Sequence, residues 1–203
     1  MNLRQDIAQR AAALIAEGLD DYHQAKLKAA KSLNVTDKQS LPDNQEIEVA
    51  LREHHALFAS DTQPIALQAL REAALRTMQW LGEFQPWLTG SVLNGTANEF
   101  SAIQLELIGI DVKRFELFLL NEDVVFEIRE HHANKKRSNT FKPQRAINNG
   151  GDGGYLYEIT FDDAPVEITL FESHSTRQTR YPRDSIFHDR VQLDDAVKQF
   201  NEK

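Results

Sequence analysis

Four short features could do chemistry together. Gly90-Ser91 ends a strand-like approach in the stretch that begins at Trp87. A polar, glycine-containing connection follows. Then Ile103-Gln104-Leu105-Glu106-Leu107 alternates between apolar and polar side chains. Glu167 stands in a later alternating run, Pro165-Val166-Glu167-Ile168-Thr169-Leu170. Side chains two apart on a strand project from one face, so Gln104 and Glu106 share a side. Paired acids on one strand with a third acid on a neighbour are the layout of a two-cation phosphoryl-transfer site. The cations align the attacking hydroxyl and neutralise the triphosphate. A bend with exposed backbone N–H groups can hold the phosphates. Position 104 is the misfit, because an amide oxygen brings no charge to a cation.

The elements that must position these residues read as two unlike halves. Residues 3 to 33 carry Ile7, Ala11, Leu14, Ile15, Leu19, Tyr22 and Leu27 at helical spacing, with a kink or short break expected at Gly18. A loop from Asn34 to Asn44 leads to a helix over about Gln45 to Phe58. Asp61-Thr62-Gln63-Pro64 starts a third helix, Ile65 to Leu81, which Gly82 ends. After Pro86 the period shifts toward two. Ala102 to Ile108 reads as a half-buried strand, and Asp111 caps a helix. Val124 to Arg129, Tyr155 to Phe161 and Val166 to Phe171 read as strands, the last two joined by a hairpin-like turn over Asp162-Asp163-Ala164-Pro165. A short helix spans about Leu193 to Phe200. Strands cluster late, which argues against alternating βαβ units. The expected fold is α+β. A helical region, 1–62, precedes an α+β domain, 63–203, with a mixed sheet of four or five strands and flanking helices.

The ordered set of motifs resembles the DNA polymerase beta-like nucleotidyltransferase superfamily, particularly its small bacterial members. Their pattern is a helix, a strand ending in Gly-Ser, a glycine-containing turn, Asp-x-Asp on the next strand, and a third acid on a later one. Gly90 and Ser91 match the first element, and Gly95-Thr96-Ala97 resembles the turn. Gln104 and Glu106 occupy the paired-acid positions, and Glu167 the third. The likeness covers roughly Ile65 to Glu172 and leaves the first 60 residues unexplained. It implies that Glu106 and Glu167 ligand Mg²⁺, with Gln104 as a weak third group. It implies that Gly90 and Ser91 hold the phosphates of an NTP. If the site is active, a nucleoside monophosphate passes to a hydroxyl acceptor. Gln104 leaves three readings open: an enzyme with altered metal geometry, a catalytically dead nucleotide binder, or an ordinary amphipathic strand. A different class is also open, a non-catalytic interaction protein that binds a partner or forms a homodimer through its helical first third.

Other features read more plainly. The chain has 203 residues, 41% hydrophobic and 27% charged, with a net charge of −8 and no cysteine. Disulfides, thiolate zinc sites and thiol nucleophiles are excluded. The acidic balance disfavours non-specific nucleic-acid binding, although a local basic patch could override it. The N-terminus reads as neither a signal peptide nor a membrane span, so the cytoplasm is the default expectation. Lys135, Lys136, Arg137, Lys142 and Arg145 form a basic run, better read as solvated surface than as a phosphate or RNA loop. Arg177 and Arg180 follow the third acid. They are the better candidates to steady a triphosphate, with ordinary ion pairing the equal alternative. Asn148 to Gly154 lacks the Lys-Ser/Thr ending of a P-loop and reads as a hinge or lid. His54-His55 and His131-His132 are adjacent pairs without zinc spacing. Ser91 lacks the context of an acyl-transfer nucleophile. Trp80 and Trp87 are expected in the core.

Overall fold

The computed structural model describes residues 3–19, 21–35, 37–130, 154–171, 173 and 189–201. Among them are seven α-helices and a five-stranded mixed sheet, the expected α+β fold with an N-terminal helical region.

The first three helices form a layer of their own. They are α1 (Leu3–Ala16), α2 (Tyr22–Ser32) and α3 (Asn44–Phe58). The single helical pattern breaks at Gly18, whose φ of +100° suits glycine alone. Asp21 restarts it by accepting from the N–H groups of His23 and Gln24. Asp43 and Glu46 make a reciprocal capping box at the start of α3, and Arg4 of α1 grips the same Glu46 at 2.7 Å. The buried seam is mostly alanine: Ala8, Ala11 and Ala12 against Ala25, Ala29 and Ala50, with Ile7, Ile47 and Leu51 filling it. Small side chains let the three helices approach closely.

The second unit opens with α4 (Gln63–Trp80). Then come β1 (Trp87–Thr89), α5 (Gly90–Asn94), β2 (Ile103–Ile108), α6 (Val112–Asn121), β3 (Phe126–Glu130), β4 (Tyr155–Phe161), β5 (Ala164–Phe171) and α7 (Leu193–Asn201). The strand order is β1-β2-β5-β4-β3. β2 and β5 run parallel in the centre; every other neighbour is antiparallel. Asp162 and Asp163 both take positive φ, 53° and 63°, and suffice to turn β4 into β5, so Ala164 and Pro165, expected in the turn, already pair within β5.

Alternation gives the sheet two unlike faces. Leu88, Ile103, Leu105, Leu107, Ile168, Leu170 and Tyr157 point one way and are buried against Met78 of α4, Phe115 and Leu119 of α6, and Ala196 of α7. Trp80 joins this side, stacked on Phe161 at 4.5 Å. The opposite face carries Thr89, Gln104, Glu106, Glu127, Glu158, Glu167 and Thr169, and the candidate site lies on it.

Two expectations need correction. The connection after Gly90-Ser91 is helical at its start: α5 takes in Gly90 and Ser91 themselves and runs on to Asn94. Trp87 is not a core residue. It shares the polar face with Glu106, its register partner on β2.

Candidate functional site

Register decides which side chains meet. Thr89 pairs with Gln104, Gln104 with Glu167, Glu167 with Glu158, and Glu158 with Glu127. One row therefore crosses the sheet as Thr-Gln-Glu-Glu-Glu. The next row contains Trp87, Glu106 and Thr169. Gln104, Glu106 and Glu167 thus share one face, as the alternation in sequence predicts. Like charges directly opposite on neighbouring strands repel. The row needs positive charge, or N–H donors, to exist.

Gln104 supplies such a donor. Its Nε2 donates to Glu167 Oε2 at 3.1 Å. Its Oε1 rests against Gly90, where an added Cβ would overlap it and come within 2.9 Å of Cδ. Gly90 also has φ +72°. Backbone angle and the close approach of the amide therefore both favour glycine at the bend. Gly95 closes α5 with φ +82°, and the N–H groups of Thr96 and Ala97 both donate to the Ser91 carbonyl, at 2.9 and 3.1 Å.

Glu106 has a different neighbour. It is 3% exposed, and Arg190 Nη1 lies 3.8 Å from its Oε2. The Arg190 guanidinium also stacks over the Trp87 ring, 4.2 Å from the centroid. A bridge between Leu88 and Val191 pins this segment to β1, which holds Arg190 on the polar face. Nothing in the sequence singled out Arg190. It belongs to no cluster or period, and only the Leu88–Val191 pairing brings it here.

A cleft lies between this face and the helical layer. Gly90, Ser91, Asn94, Thr96, Asn98, Gln104 and Glu167 form its polar wall; Ile15, Tyr22 and Leu51 form the apolar wall. The helical region, unexplained by the motif, thus roofs the motif. Gln63 Nε2 donates to the carbonyls of Gly95 and Ala97, at 3.2 and 2.8 Å. Asn98 Nδ2 donates to the Ala16 carbonyl at 3.1 Å. The Phe100 side chain lies beside Gly18, its Cγ 3.5 Å from where a Cβ would stand. Burial pushes the Tyr22 phenol up, and the charge of Glu48 adds to it. The cleft encloses about 60 Å³. Small-molecule sites typically hold about 300–1,000 Å³.

A two-cation cage can be tested against these donors. It needs several carboxylate oxygens aimed at one point. Glu167 instead faces an N–H group, and Glu106 faces a guanidinium. Among the described residues no group of three or more Asp, Glu or His is arranged to hold a metal. The arrangement does not fit such a cage. Arg177 and Arg180, and the basic run from Lys135 to Arg145, lie outside the described residues, as does the Gly-rich stretch up to Gly153. Among the described residues no helix is long and apolar enough to cross a membrane. In comparisons with known proteins, no family model, curated protein or solved structure matched the chain.

Proposed function

We propose that the chain is a catalytically degenerate nucleotidyltransferase-like protein that binds a nucleoside triphosphate, arriving with its own Mg²⁺, at the Gly90–Ser91 bend. One observation carries the reading. Gly90, Ser91, Gln104 and Glu167 come from distant parts of the chain and line one cleft. In this reading the backbone of the bend and the Ser91 hydroxyl hold phosphate oxygens. Arg177 and Arg180 remain the candidates to balance the remaining charge. Transfer to a hydroxyl acceptor is weak or lost, because position 104 brings no carboxylate. The roof over the cleft must swing aside to admit a nucleotide.

Calorimetry with Mg²⁺ and each of the four NTPs tests this. Binding is expected for at least one of them. Ser91→Ala should weaken it about tenfold, the loss of one hydrogen bond to a charged oxygen. Absence of heat with all four would refute the reading.

A second reading has its own support. The small cleft suits a closed scaffold, and Leu57, Phe58 and Ile65 stand 75%, 75% and 73% exposed where α3 meets α4. An assembly protein would use that corner to self-associate. Light scattering that shows a dimer, lost in a Leu57→Ser/Phe58→Ser variant, would favour it; a monomer that binds NTP would count against it.

A further inference from the structure

We infer that Gln104 takes the place of a resident cation, so that the protein holds no divalent metal of its own and a carboxylate at this one position would create a metal site. This rests on the nucleotidyltransferase-like reading of the cleft, and the test below separates the two.

The row Glu127–Glu158–Glu167 sets three carboxylates on neighbouring strands in direct register. At the end of that row, in a cleft walled by Ile15, Tyr22 and Leu51, a cation, a basic side chain or an N–H donor can each answer the charge. The Gln104 Nε2–Glu167 Oε2 contact at 3.1 Å puts an N–H donor where a paired acid would call for a cation. The rest of the amide is fixed as well. Its Oε1 rests on the bare Cα of Gly90, so the side chain is held between the bend and the acid. Glu106, the other acid of the motif, is compensated without metal through Arg190 at 3.8 Å. The Trp87 ring stacks on that same guanidinium. Both motif carboxylates are therefore answered by groups of the chain itself. Gln104→Glu is nearly isosteric. It removes the donor, adds a charge, and leaves the cradle over Gly90 unchanged. Two carboxylate groups would then face each other across β2 and β5, the geometry a hard cation bridges.

The experiment uses the full chain without nucleotide. Mn²⁺ is titrated in by electron paramagnetic resonance, and melting temperature is read with Mn²⁺ or with chelator. The wild type should show no site tighter than about 1 mM, the weak end for carboxylate sites, and its melting should not depend on Mn²⁺. Gln104→Glu should melt about 3 °C lower in chelator, recover in Mn²⁺, and bind Mn²⁺ at least about a hundredfold more tightly. Adding Glu167→Gln should abolish the gain. A wild-type site below about 1 mM that Glu167→Gln removes would overturn the inference. So would a folded Gln104→Glu variant that gains no affinity. Should that variant fail to fold in chelator, refolding it in Mn²⁺ gives the same decision: recovery supports the inference, and no recovery refutes it. Failure of all four NTPs to bind would instead strike the nucleotide reading, leaving the Mn²⁺ result to stand or fall alone.

Discussion

Replacing Gly90 by alanine tests whether the bend and the amide are one unit. Two terms oppose the change. A residue with a Cβ at φ +72° costs about 1–2 kcal/mol. The new methyl also overlaps Gln104 Oε1 and sits 2.9 Å from Cδ and 3.3 Å from Cβ. Oε1 is the end of a flexible side chain and can swing away. Doing so breaks the bond to Glu167, worth about 1 kcal/mol for a half-buried charged acceptor. Stiffening of the unfolded chain by alanine returns about 0.5 kcal/mol. The net loss is about 1.5–2.5 kcal/mol, or roughly 3–10 °C of melting temperature in a chain of this size. Urea denaturation followed by circular dichroism measures it. The decisive variant is the double change with Gln104→Ala. Removing the amide relieves the overlap, so the two losses should sum to about 1 kcal/mol more than the double variant shows. Additivity within about 0.3 kcal/mol would refute the claim that the amide occupies this space. A Gly90→Ala protein within about 0.5 kcal/mol of wild type would refute the backbone term as well.

Three further outcomes are expected. His55 is 6% exposed and its Nε2 has no hydrogen-bond partner among the described residues; burial, helped by His54, pulls its pKa below the usual value. The unfolded chain therefore takes up the proton first, so stability should fall as pH drops below about 6.5 and level off under the lowered folded value. Melting curves across that range should show a slope that His55→Leu flattens. Arg71 is 7% exposed and lies over the Phe200 ring at 4.6 Å; its Nε has no hydrogen-bond partner among the described residues, and burial lowers its pKa. Arg71→Met should leave stability unchanged or raise it, whereas Phe200→Ala should cost about 3 kcal/mol by urea titration, because it opens a void under α7. Asp43→Ala should cost about 1 kcal/mol in the same assay, since the N–H of Glu46 loses its acceptor.

Much of this fold is written in local chemistry. Asp43 with Glu46, and Asp111 before Val112, announce helix starts because a side-chain oxygen answers a backbone donor that nothing else can reach. Gly18 marks the break in the first helix for steric reasons. Alternation over residues 103 to 107 puts Gln104 and Glu106 on one face before any coordinates exist. What stayed hidden depends on contacts between distant residues. α5 is too short to show a period. The roofing role of α1–α3 rests on bonds such as Asn98 to Ala16 and Arg52 to Asn94, which no local pattern encodes. Trp87 looked like a core aromatic because its type is ambiguous. Only its pairing with Glu106 shows that it faces Arg190 instead.

The parallel seam at the middle of the sheet also governs kinetics. Gln104 and Glu167 are 63 residues apart in the chain. Joining such distant points costs about 4 kcal/mol of loop entropy before any contact rewards it. β4 and β5, by contrast, meet through a two-residue turn. The hairpin can nucleate, but the seam must wait. Substitutions confined to the Gln104–Glu167 pair should therefore speed unfolding and leave the refolding rate nearly untouched.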